Sequence, residues 1–122
     1  MKISDLIQKD LVSVNLKSHT AEGAIDEIVE HLYKNGKIED KKEVLEALLK
    51  REKTGTTGIG AGAAIPHARL PQLKDPIVFV GVSKHEINFS SVDGRGVKLV
   101  VLFLTPLLET GLHLKKQGIY RQ

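Results

Sequence analysis

The run Gly58-Ile-Gly-Ala-Gly-Ala-Ala-Ile-Pro-His67 constrains the fold of this chain more than any other segment. Its glycines and alanines clear steric bulk from the approach to the histidine. Pro66 removes a backbone donor and fixes φ immediately before the ring. No helix passes through such a stretch. A short apolar run that ends in Pro-His reads as a buried strand that delivers one side chain, His67, to the surface. Histidine is neutral and nucleophilic near physiological pH, so a positioned ring nitrogen can accept a transferable group such as a phosphoryl.

Two amphipathic helices precede this run. Ser18 or Thr20 is placed to cap the first, whose apolar residues Ile25, Ile28, Val29, Leu32 and Tyr33 recur at helical spacing, with Gly36 where a C-terminal cap belongs. Asp40 with Glu43 resembles a capping box that opens the second. Its buried stripe is Val44, Leu45, Leu48 and Leu49, and it ends before Gly55. Strands are expected over Ile59 to Ile65, over Ile77 to Val82 after Pro76, and over Val97 to Leu104 between Gly96 and Pro106. The last is apolar enough for a central strand buried on both faces. Leu11 to Val14 is a candidate fourth strand, and Asp93 to Gly96 a turn. Helices first and strands after, in 122 residues, predict a single-domain α/β sandwich with a mixed β-sheet flanked by helices.

Composition removes whole classes of function. There is no cysteine, hence no disulfide, no thiolate metal site and no thiol nucleophile. The longest apolar run, Leu99 to Leu104, is too short to enter and cross a bilayer, and no secretory signal follows Met1, so the expected location is cytoplasmic. The net charge of +3 raises the question of nucleic acid. The basic residues, however, alternate with acids, as in Glu39 to Glu43 and Leu49 to Lys53, and aromatics are only 4%, with no stacking platform. The balance favours acidic or phosphorylated partners over nucleic acid.

Gly58 to Ala63 matches the dinucleotide-binding fingerprint in letters but follows a helix and a Thr-rich loop instead of a strand, and Pro66 would break the helix it should open. Arg51 can pair bidentately with phosphate oxygens, and Thr54, Thr56 and Thr57 add hydroxyls. His19 and His31 are expected at the surface, His85 in a turn, and His113 in Gly111-Leu-His-Leu114 is able to approach His67 across the fold. No pair of histidines has metal-ligand spacing, so no metal is expected.

From Arg51 to His67 the chain resembles the type-2 EIIA domains of the bacterial phosphoenolpyruvate-dependent phosphotransferase system, in its fructose/mannitol and nitrogen-regulatory branches. The family signature runs from an acidic residue (Glu52) across a six-residue gap (Lys53 to Gly58) to Ile59, Gly60 and Ala61-Gly62, then Ala63-Ala64-Ile65-Pro66-His67. Ala63 stands where a larger aliphatic is usual. Ile3 to Ile7, Val44 to Glu52, Ile87 to Gly94 and Val97 to Pro106 also resemble family segments, and residues 1–114 are expected to form the domain.

By this resemblance His67 accepts the phosphoryl group on Nε2, His113 lies beside it, and Arg51 neutralises phosphoryl charge, with no cofactor. The donor would be an HPr-like phosphohistidine carrier protein. The acceptor would be an EIIB domain or a regulatory target protein, with the nitrogen-regulatory role slightly favoured because the chain stands alone. Residues 115–122 depart from the family pattern and read as an atypical short tail. Two expectations follow from that tail: a homodimer that covers exposed apolar surface, and, as the alternative function, a phosphorylation-inactive protein-binding module derived from the family.

Overall fold

The structure, a computed structural model, describes residues 12–13, 15–71 and 73–106. Ile3 to Ile7, Leu11, Val14, His113 and the tail 115–122 lie outside the described residues.

Local chemistry sets both helices. Helix α1 spans Ala21–Lys34 and begins where the Thr20 side chain accepts the Gly23 amide. It ends in a Schellman motif: Gly36 takes φ +71°, its N–H bonds the Tyr33 carbonyl, and the Lys37 N–H bonds that of Leu32. Ala21, Ala24, Ile25, Ile28, Val29 and Leu32 are buried along one face. Helix α2, Lys41–Thr54, starts with the Asp40 carboxylate accepting the Glu43 amide. Val44 and Leu48 are buried, and Leu45 and Leu49 pack half-buried beside them, as the spacing predicts.

The strands are β1 Val12–Ser13, β2 Gly58–Gly60, β3 Ala63–Ala64, β4 His67–Leu70, β5 Ile77–Ile87 and β6 Val97–Pro106. They form one mixed sheet in the order β1-β5-β6-β3-β2, with β4 also on β6. The antiparallel β5–β6 pair is its centre, with Ile77 opposite Leu104, Phe79 opposite Leu102 and Ile87 opposite Val97. Strands β3 and β4 run parallel to β6 in succession, Ala63 opposite Leu99 and His67 opposite Phe103, while β1 lies parallel to β5. Both helices contribute to one core cluster with Ile77, Phe79, Val100, Leu102 and Leu104, so among the described residues they cover one face of the sheet. Gly81 belongs to that packing, since a side-chain carbon there would come within 2.8 Å of Leu16 Cδ1.

Several sequence expectations need correction. The strand expected over Ile59 to Ile65 is a hairpin, β2 and β3 joined at Ala61-Gly62, because both turn residues take positive φ (+56° and +79°). Pro66 then has no N–H to contribute, so pairing with β6 breaks there and resumes as β4, a strand the sequence reading did not contain. Strand β5 continues through His85 to Ile87, so His85 is in a strand and its ring Nε2 donates to the Ser18 carbonyl at 2.8 Å. His19 is exposed and stacks on it, whereas His31, expected at the surface, is half-buried with its ring T-shaped to that of Phe79. Strand β6 is buried on the helix side but not throughout: Leu99 keeps 40% of its surface exposed.

The hairpin turn is held from outside. Asp93 accepts the Ala61 amide at 2.9 Å through one oxygen and the Arg95 amide at 3.0 Å through the other. The Ala61 amide first, then that of Arg95, holds the Asp93 carboxyl below its ordinary value of 3.8. A depressed folded-state value means this contribution to stability is present above the unfolded value and is lost as pH falls through the folded one. Urea melts are therefore expected to show Asp93→Ala less stable than wild type at pH 7, with the gap closing as pH falls below 3.8; a gap independent of pH would assign the effect to something other than the carboxylate. At Ala61 the left-handed backbone costs about 1–2 kcal/mol for an L-residue, offset in glycine by its greater freedom when unfolded. Ala61→Gly is expected to stabilise the protein by roughly 0.5–1 kcal/mol in the same melts.

Candidate functional site

The last turn of α2 and the first residue of β4 meet at the surface. His67 follows Pro66, whose carbonyl accepts the Phe103 amide at 2.9 Å, so the backbone that carries the ring is tied to the central strand. The ring is exposed, and each of its nitrogens has a partner. Nδ1 lies 3.0 Å from the Ile65 carbonyl oxygen, and Arg51 Nε donates to Nε2 at 3.3 Å. A carbonyl can only accept, so Nδ1 carries the proton and the Nε2 lone pair faces outward toward the guanidinium.

Arg51 is itself held. Its Nη1 donates to the Gly55 carbonyl at 2.8 Å and to Thr54 Oγ1 at 3.2 Å, and the Thr54 hydroxyl donates back to the Arg51 carbonyl at 2.7 Å. These bonds bend the guanidinium around the end of α2, where a cation also suits the helix dipole. Beside it lies a shallow depression of about 360 Å³. Ala47, Thr54 and Ala68 form its wall, and Lys50, Arg51 and Arg69 surround His67 with positive charge. Such a hollow attracts an anion, and a neutral imidazole at its edge can bond to one covalently.

The next residue of α2, Glu52, faces the other way. Its carboxylate accepts the Thr57 amide at 3.0 Å and the Thr57 hydroxyl at 2.7 Å. Thr57 is buried, and its carbonyl accepts the Ile65 amide at 2.9 Å. The Thr56 hydroxyl donates to the Phe89 carbonyl and accepts the Gly58 amide at 2.9 Å. The Thr-rich loop is thus bonded into the fold through its hydroxyls, and of its threonines Thr54 is the one that contacts Arg51.

Of the three residues singled out in the sequence, the structure brings Arg51 and His67 together, and His113 lies outside the described residues. Among the described residues there is no group of three or more histidines, aspartates or glutamates able to hold a metal. Lys50 and Arg69 were missed. Arg69 follows His67 by two, the spacing that returns a strand residue to the same side, so the signal was present but needed β4 to be recognised first.

The sequence profile of the family described as "Phosphoenolpyruvate-dependent sugar phosphotransferase system, EIIA 2" matches residues 5–116. The chain is 37% identical over 115 residues to the fructose-specific EIIABC component of Bacillus subtilis, covering 94% of this chain and 18% of that protein. It is 36% identical over 117 residues to a nitrogen regulatory protein of Bradyrhizobium diazoefficiens, covering 94% of this chain and 74% of that one. The fold matches the crystal structure of the nitrogen regulatory protein IIA-Ntr from Neisseria meningitidis with a TM-score of 0.80 at 27% identity, covering 95% of this chain and 79% of that one.

Proposed function

This chain belongs to the type-2 EIIA family of the phosphoenolpyruvate-dependent phosphotransferase system, and on that premise we propose that it is a phosphocarrier whose acceptor atom is His67 Nε2. The observation that carries the reading is the pair of bonds on the ring: the proton is held on Nδ1 by the Ile65 carbonyl, and the Nε2 lone pair points at Arg51. A neutral nucleophile in that tautomer is what attack on a phosphoryl group requires.

The step balances without a cofactor. Nε2 attacks the phosphorus of a phosphohistidine on the donor, an HPr-like carrier protein. The new P–N bond forms as the donor's P–N bond breaks, and the donor's ring leaves neutral with its own N–H. His67 keeps its Nδ1 proton throughout, so the phosphorylated ring carries positive charge next to the phosphoryl oxygens. Because one P–N bond replaces another, transfer runs readily in both directions, as a carrier needs. The Arg51 Nε–H that rests on Nε2 is displaced from it and meets a phosphoryl oxygen in its place, at an already positioned guanidinium. By family resemblance His113 stands beside this centre.

An EIIB component is one proposed acceptor, a partner that the B. subtilis relative carries in the same protein according to its name. A second reading, a regulatory protein whose partners sense phosphorylation, is supported by the nitrogen-regulatory relatives. Both need the same chemistry at His67.

The test supplies phosphoenolpyruvate, enzyme I and HPr, repeated with nitrogen-branch donors, and follows intact mass. Wild type is expected to gain one acid-labile, base-stable phosphoryl group and His67→Ala none. Arg51→Ala is expected to gain it about a hundredfold more slowly, the loss typical when one positioned donor to a developing anion is removed. Folded wild type that gains nothing from either donor set would overturn the reading in favour of an inactive binding module.

A further inference from the structure

We infer that Glu52 is a positioning residue for the His67 ring and acts through Thr57 and Ile65. Adjacent residues at the end of α2 thereby hold opposite nitrogens of one imidazole, Arg51 directly on Nε2 and Glu52 at two removes on Nδ1. The inference rests on the reading of His67 as the phosphoryl acceptor.

The path is continuous in hydrogen bonds. Glu52 Oε2 and Oε1 receive the Thr57 amide (3.0 Å) and hydroxyl (2.7 Å), so both donors of one buried residue end on one carboxylate. Bonds of this kind to a carboxylate are charge-assisted and roughly twice as strong as neutral ones. The Thr57 carbonyl, oriented by that clamp, takes the Ile65 amide at 2.9 Å. Ile65 precedes proline, which restricts it to extended backbone, and its own carbonyl takes the proton on His67 Nδ1 at 3.0 Å. Ile65 is therefore fixed from one side by Thr57 and from the other by Pro66, whose carbonyl is bonded to Phe103. Without the clamp, the Thr57 carbonyl is free to turn, and the Ile65 carbonyl drifts from the ring. The imidazole proton then distributes over both nitrogens, and every molecule protonated on Nε2 has its acceptor lone pair blocked.

This arrangement also accounts for an acidic residue beside Arg51. A carboxylate facing the hollow would repel a phosphoryl group. Here both of its oxygens are committed to Thr57, on the loop that leads to the hairpin, so it organises the ring while Arg51 meets the anion.

The test reads the tautomer directly, by long-range ¹⁵N–¹H correlation of the His67 ring at a pH where it is neutral. The variants are Glu52→Ala, Glu52→Gln and Thr57→Val, and circular dichroism checks their folding. Wild type is expected to show the Nδ1–H pattern. Glu52→Ala and Thr57→Val are expected to lower the ratio of Nδ1–H to Nε2–H roughly fivefold, about one hydrogen bond's worth. Glu52→Gln, which keeps an acceptor for the Thr57 amide while the hydroxyl turns to accept, recovers most of that ratio. In phosphorylation assays the maximal rate falls only as the Nδ1–H fraction falls, by less than fivefold while that tautomer still predominates, and half-saturation by the donor is unchanged. Thr57→Val, which leaves α2 untouched, carries the test if Glu52→Ala does not fold.

A wild-type ring protonated on Nε2, or folded variants with the wild-type tautomer ratio, would overturn the inference even if phosphorylation slowed, because a merely structural role lowers stability without moving the proton. If the ratio shifts but wild type accepts no phosphoryl group, the positioning stands and the acceptor reading fails.

Discussion

One interrupted ladder supports the whole site. Strand β6 pairs in parallel first with β3 and then with β4, and between them Pro66 contributes no donor, yet its carbonyl still receives the Phe103 amide. That single bond carries register across the gap. Ile65 faces away from β6, its N–H bonded to the Thr57 carbonyl, and the ring of His67 takes its carbonyl. A loop would not hold it still. Proline in a sheet is tolerated where it interrupts a ladder or sits at an edge, and here the extended residue before it presents the carbonyl that orients the ring.

The second requirement is charge. Lys50, Arg51 and Arg69 gather around one exposed histidine, while the nearby acid, Glu52, is turned inward onto Thr57. Arg51 does not wave freely from the surface; Thr54 and Gly55 fold it back over the end of α2. The proposed phosphoryl transfer asks a protein for position and for charge already in place; the end of α2 supplies Lys50 and Arg51, and β4 supplies His67 and Arg69. The compactness of that arrangement fits a protein whose site opens directly to a partner instead of enclosing a small substrate.

Much of this was legible beforehand, for identifiable reasons. The helices were, because capping residues and the spacing of Ile25, Ile28, Val29 and Leu32 act over a few residues and need no partner to be recognised. A turn expected over Asp93 to Gly96 was found nearby for the same reason, although the chain reverses over Ser91 to Gly94. Strand β6 was found from its apolar run, but its exposure at Leu99 was not, since one face of a sheet is covered only by what packs there. The hairpin at Ala61-Gly62 was hidden because alanine gives no sign of positive φ; Asp93, far along the chain, holds it there. His85 looked like a turn residue among Ser83, Lys84 and Glu86, yet pairing with β6 extended the strand past it.

By itself the sequence determined the candidate histidine, the proline before it, the arginine at the helix end and the family to which they belong, since each is written in residue types and short spacings. Only the tertiary structure decided which partner each ring nitrogen meets, which cations share the hollow with His67, and where Glu52 points. Those outcomes depend on hydrogen bonds between segments that meet through the sheet: Thr57 with Ile65, Pro66 with Phe103, Arg51 with His67. Spacing along a chain specifies which groups are present. The direction of a lone pair is set by the partner across the fold that takes the neighbouring proton.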